Sequence, residues 1–171
     1  ISCLGSWAFV MTDKKLTVGI ADMKLLQGDG ILVTYALGSC IGLCFHDPRL
    51  RLGALLHIML PLNMETGRTH PMKYADTGIK ETLKQLEAKG ASRSRMTVKI
   101  AGGAKMFEVS GGGGLGNIGQ RNIESVHAIL KRENIRLVGE YTGGTVARTL
   151  LFDVASGQSC IRSYGQKDII F

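Results

Sequence analysis

The chain has no uninterrupted apolar run approaching the roughly 18 residues of a membrane span, few aromatic residues (6%) and three prolines, Pro48, Pro61 and Pro71. The first lack argues against direct membrane insertion. The second removes the stacking platforms that hold single-stranded nucleic acid, and the scattered prolines leave no Pro-rich linker to divide the chain. The four cysteines, Cys3, Cys40, Cys44 and Cys160, form no C-x-x-C pair. Cys40-x-x-x-Cys44 has no second half-site at zinc spacing. With no basic-then-apolar export signal either, the expectation is free thiols in a reducing compartment, the cytoplasm, and no structural metal.

What is present suits one domain: 171 residues, 44% of them apolar, suffice for a core of ordinary size. The apolar stretch Ile1 to Val10 precedes Met11 and the pair Lys14, Lys15. Residues 1–15 therefore read as a loosely ordered leader and 16–171 as a single domain. Twenty-one Lys and Arg against 14 Asp and Glu give a net charge of +7. The positive charges are dispersed in small groups, which suits an acidic protein partner better than nucleic acid.

Short apolar, β-branched segments separated by polar turns predict strands over Leu16–Ile20, Ile31–Leu37, Cys40–Phe45 and Leu52–Leu60. Asp47-Pro48 initiates a turn between the last two, predicting an antiparallel hairpin. Ile79, Leu83 and Leu86 repeat at helical spacing within Ala75–Lys89, with Gly90 as the stop. Met96–Ala101 reads as a strand, 102–116 as a glycine-rich mobile loop near the active site, and Ile118–Glu133 as a second helix with Ile123, Val126 and Leu130 on one face. Three strands follow, Ile135–Tyr141, Arg148–Val154 and Ser159–Tyr164, the last two joined at Ala155–Gln158 as a second hairpin. Two helices among about seven strands, with strand-to-strand neighbours in the majority, predict an α+β domain of mixed, largely antiparallel sheets layered with helices.

A thiol at the turn Gly38-Ser39-Cys40 has exposed backbone amides beside it, which can lower its pKa and hold an oxyanion. His57 is a polar ring inside the apolar strand Gly53 to Pro61. If the hairpin pairs Gly42 with His57, strand alternation sets Cys40, Gly42 and His57 on one face, with the Cβ atoms of Cys40 and His57 about 7 Å apart. Gly42 would then leave room for the ring to lean toward Cys40. The alternative stays open on these residues alone, because a cysteine in an apolar run is commonly a small core residue and a strand histidine a satisfied structural one. Cys44 reads as packing. Gly114-Leu-Gly-Asn-Ile-Gly119 matches G-x-G-x-x-G, but no strand directly precedes it, so it does not read as a dinucleotide fingerprint.

Six ordered motifs carry a resemblance. Leu37-Gly-Ser-Cys40, His57-Ile-Met-Leu-Pro61, Lys73-Tyr-Ala-Asp76, Lys99-Ile-Ala-Gly-Gly-Ala104, Ile118-Gly-Gln-Arg-Asn122 and Gly143-Gly144 with Arg148 resemble those of the chemoreceptor glutamine deamidases called CheD, over about residues 16–164. The resemblance implies a three-layer α/β sandwich with a catalytic Cys, His and Thr, which by motif are Cys40, His57 and Thr34. It further implies a cysteine-dependent amidohydrolase that converts receptor glutamines to glutamate without a cofactor, with methyl-accepting chemotaxis receptors as substrate. A CheC-type phosphatase is an implied partner, and a non-catalytic module that stimulates that phosphatase is the alternative. Ala147 stands where the family commonly has glycine before the arginine.

Overall fold

Every residue of two strands, Ile41–Asp47 (β4) and Leu52–Ile58 (β5), is buried, so both faces of their sheet must be covered. The computed structural model describes residues 14–67, 69–106 and 117–171 and shows what covers them. Two helices lie on one side and a second sheet on the other. One sheet runs β2-β5-β4-β6-β7 and the other β1-β3-β8-β9-β10. The remaining strands are Lys15–Thr17 (β1), Asp22–Gln27 (β2), Ile31–Leu37 (β3), Thr97–Gly102 (β6), Arg136–Thr142 (β7), Arg148–Asp153 (β8), Ser159–Arg162 (β9) and Ile169–Ile170 (β10). The β1/β3 and β6/β7 pairs are parallel and the other pairs antiparallel. This is the expected α+β sandwich.

Strand alternation divides the core in two. Ile41, Leu43, Phe45, Leu56 and Ile58 face the helices, where they meet Ile79, Leu83 and Leu86 of α1 (Ala75–Ala88) and Val126, Ile129 and Leu130 of α2 (Ile118–Arg132). Cys44 and Leu55 face the second sheet, against Leu32, Leu37, Leu150 and Phe152. Gly53 admits that sheet closely, since a Cβ there would lie 2.7 Å from the Phe152 ring. The first helix stops where its sequence foretells. Gly90 follows α1 with a left-handed φ of 98°, and Lys131 and Arg132 sit in the last turn of α2, where the helix dipole favours positive charge.

The β4–β5 hairpin has the expected register, Gly42 opposite His57. Its turn is held by the Asp47 carboxylate, which accepts from the Arg49 N–H and pairs with Arg95 at 2.8 Å. The 155–158 turn likewise joins β8 to β9. Three features depart from expectation. The first strand ends at Thr17 rather than Ile20, because the chain turns before β2, with Ala21 at φ 56°. Strand β2 was not foreseen: as a sheet edge it is mostly half-buried, so Asp-Met-Lys-Leu-Leu-Gln shows no clean alternation. The two-residue β10 is too short to carry a pattern. Residues 1–13 of the expected leader, and 107–116 of the expected mobile loop, lie outside the described residues.

Candidate active site

His57 sits near the end of β5 on the face turned to the second sheet, one residue in a hundred parts exposed at 1%. Thr34 of β3 faces it from that second sheet and is fully buried. Its Oγ1 lies 2.7 Å from His57 Nδ1 and donates to the Val18 carbonyl, also at 2.7 Å. A threonine hydroxyl has one proton, and a carbonyl can only accept it. The assignment that uses both contacts therefore has His57 Nδ1–H donating to Thr34, which leaves Nε2 as the unprotonated nitrogen. That nitrogen is buried and has no hydrogen-bond partner among the described residues. Burial pushes the imidazole pKa down to about 4, so the ring is neutral at physiological pH.

Cys40 is the residue just before β4, two positions ahead of Gly42, and is partly exposed. Its side chain packs against the inter-sheet cluster that includes Leu37, Cys44 and Leu150, on the side of the hairpin to which His57 is turned. Burial raises its thiol pKa, opposed by a hydrogen bond from its own backbone N–H. The resting pair is thus a neutral thiol and a neutral imidazole, with no direct hydrogen bond to His57 Nε2. The space above Gly42 is not taken by the ring. A Cβ there would meet Leu150 at 2.7 Å, Leu37 at 3.2 Å and the Thr34 methyl at 3.6 Å, so the glycine lets the second sheet close over the site.

The turn that presents Cys40 is built from close backbone approaches. Strand β3 bulges between Thr34 and Leu37, with Ala36 at φ 55°, a strained conformation of the kind that re-aims a strand end. The Gly103 N–H donates to the Cys40 carbonyl at 2.9 Å, and the Ala104 N–H to the Gly38 carbonyl at 2.8 Å. A Cβ on Gly102 would lie 2.1 Å from the Cys40 oxygen, and Gly102 has a φ of 112°. Gly102→Ala is expected to cost about 3 kcal/mol or more, from combined overpacking and backbone strain. Urea unfolding monitored by circular dichroism checks this. Gly119 meets a similar limit from α2, with a Cβ position 2.6 Å from the Ala104 oxygen.

Arg148 anchors the neighbouring loop. Its guanidinium donates to the Tyr141 carbonyl at 2.8 Å and to the carbonyls of Gly143 and Val146, and it stacks over the Tyr141 ring. Gly143 and Gly144 supply left-handed φ values of 83° and 74°, whereas Ala147 is not among the positive-φ residues, so its methyl group brings no backbone strain. The end of β3 and the loops beside it expose Tyr35, Met106, Val146 and Tyr164. Val146 lines one cleft of 290 Å³ and Tyr35 and Tyr164 another of the same volume, and Arg148 lines both.

One residue of the site escaped the sequence reading of roles. Asn122, fully buried on α2, donates its Nδ2 hydrogens to the carbonyls of Ser39 and Met59, each at 2.9 Å. Its signal was available: an amide at position 122, four residues before Val126 and seven before Ile129, lies on the buried face of an amphipathic helix, where a polar group needs a reason.

A family model described as CheD chemotactic sensory transduction matches residues 59–163, beginning just beyond His57. Among individual proteins, the probable chemoreceptor glutamine deamidase CheD of Desulforamulus reducens is 45% identical over 152 residues, 88% of this chain and 92% of that one. The corresponding protein of Symbiobacterium thermophilum is 44% identical over 160 residues, 91% and 97% of the two chains. The chemoreceptor glutamine deamidase CheD of Thermotoga maritima is 41% identical over 152 residues, 88% and 93%.

Proposed function

The chain belongs to the CheD family, and from that premise we propose that it is a cysteine-dependent protein-glutamine deamidase acting on methyl-accepting chemotaxis receptors in the cytoplasm. The observation that carries the chemistry is the Thr34–His57 hydrogen bond, which leaves His57 Nε2 unprotonated, buried and without a partner among the described residues, on the side of the hairpin where Cys40 packs. A base in that state can take the thiol proton as sulphur attacks the carboxamide carbon. The C–S bond forms as the carbonyl π pair moves to oxygen, giving a tetrahedral oxyanion held by backbone N–H groups near Ser39 and Cys40. The imidazolium returns its proton to the leaving nitrogen, ammonia departs, and a thioester remains. Water attacks the thioester while His57 takes its proton. Collapse then gives a glutamate side chain, and the imidazolium reprotonates Cys40.

No cofactor enters this cycle. A glutamate methyl ester would follow the same path with methanol as leaving group, so methylesterase activity is expected as a side reaction. The exposed apolar side chains beside the site favour a protein substrate over a small amide, and a net charge of +7 favours a partner rich in glutamate. A CheC-type phosphatase as binding partner rests on the motif resemblance alone.

The decisive experiment is intact-mass spectrometry of a receptor cytoplasmic fragment incubated with the protein. Each deamidated site adds about one dalton, and no gain with folded protein would favour the phosphatase-stimulating module instead. Thr34→Val tests the tautomer separately: it keeps the shape but strands the Nδ1–H. Deamidation kcat is expected to fall about 10- to 100-fold with KM little changed, and Thr34→Ser should recover most of it.

A further inference from the structure

The Nδ2 amide of Asn122 donates to two carbonyls, both in the reacting segments, while its Oδ1 is buried with no hydrogen-bond partner among the described residues. One is Ser39, whose peptide bond leads into Cys40; the other is Met59, two residues beyond His57. The Ser39–Cys40 peptide is trans, as there are no cis bonds among the described residues. In a planar trans peptide the carbonyl and the next N–H point in opposite directions. Because α2 packs on the helix-side face of its sheet, a Ser39 carbonyl turned to α2 sends the Cys40 N–H the other way, toward the face that holds His57 and Thr34. The same N–H opposes the burial-driven rise of the Cys40 thiol pKa. A donor there is well placed for an oxyanion on a carbon bonded to that sulphur.

We propose that Asn122 is a positioning residue for the oxyanion. By gripping the Ser39 carbonyl it holds the Cys40 N–H toward the reacting carbon, and through Met59 it ties that peptide to the strand of the base. This rests on the thiol-attack reading above and assigns the amide donor a support 83 residues away in sequence. Asn122 touches no substrate atom; it acts through the peptide plane it fixes. The helix carrying it cannot drift away, since Gly119 packs against the backbone of 103 and 104.

The test exploits two reactions of one thiol. Acylation of Cys40 by p-nitrophenyl acetate passes through a tetrahedral oxyanion, whereas alkylation by iodoacetamide does not. Both rates are measured on the full chain at one pH, each corrected with the Cys40→Ala variant. For Asn122→Ala, acylation is expected to fall about 10- to 100-fold while alkylation changes by less than about 3-fold. Asn122→Ser, which keeps one donor, should give an intermediate ratio and serves alone if the alanine variant melts below the assay temperature. A wild-type ratio in either folded variant overturns the proposal. So does a parallel loss of both rates, which is what mere loosening of the site would produce. If wild-type protein fails to deamidate receptor, the deamidase reading falls, yet the acylation-to-alkylation ratio still decides the role of Asn122.

Discussion

A receptor cytoplasmic fragment incubated with the Cys40→Ala variant is expected to keep its starting mass, whereas wild type adds about one dalton at each modified glutamine. Loss of a covalent nucleophile should lower turnover by at least about 10⁴-fold, since the rest of the machinery has nothing to deliver. The fold should survive, because Cys40 is small and partly exposed at a turn, and an unchanged thermal midpoint would show it. The other described cysteines are poor substitutes. Cys44 and Cys160 are buried, and burial pushes their thiols up to about 12 and about 11. Stimulation of a CheC-type phosphatase, if this chain provides it, should be spared by the same change. A dalton gained per site with Cys40→Ala would sink the nucleophile assignment outright.

His57→Gln is the second large effect, and pH gives it a signature. Removing the base should lower kcat by about 10³- to 10⁴-fold. In wild type the imidazole stays neutral down to about pH 4 and the thiol stays protonated past its ordinary value. Deamidation should therefore be flat from about pH 5 to 8 and fall only as His57 takes a proton near 4. Iodoacetamide alkylation should be slow at pH 7 and climb in the alkaline range. A fast alkylation plateau near neutrality would instead mean a thiolate–imidazolium pair and overturn the neutral resting state. Stability moves with the same group. Unfolded, the ring binds a proton near pH 6.5; folded, only near 4. Between those values the unfolded state holds the extra proton, so stability falls with falling pH by about 3 kcal/mol across the window, with no dependence above it. His57→Gln should lack that portion, which denaturant titrations at pH 7 and pH 4.5 measure.

The hairpin that relates Cys40 to His57 was legible because everything that sets it is local. The Asp47-Pro48 turn between two apolar segments marks a hairpin, and the register that the sequence reading took as a condition, Gly42 opposite His57, is the one the structure has. Both helices were legible for a similar reason, since their apolar faces repeat at 3.6 residues, and Gly90 marks the end of the first. Strand β2 was not, because an edge strand with half-buried residues on both faces leaves no period-two imprint.

The site itself divides along the same line. Cys40 and His57 stood out as a thiol at a turn and an imidazole in an apolar strand, and Thr34 entered through the motif resemblance alone, since a threonine in a strand is ordinary. That Thr34 meets His57 depends on stacking β3 on β5 across two sheets, and that Asn122 grips Ser39 depends on how α2 is laid over β4 and β5. The amino-acid sequence by itself determined both helices, most of the strands and, through ordered motifs, the family. Only tertiary packing decided the tautomer of His57, its displacement to a pKa of about 4 and the hold of Asn122 on the Ser39 carbonyl. Periodicity and turn chemistry act over a few residues, whereas desolvation and hydrogen bonding between layers exist only once the layers close.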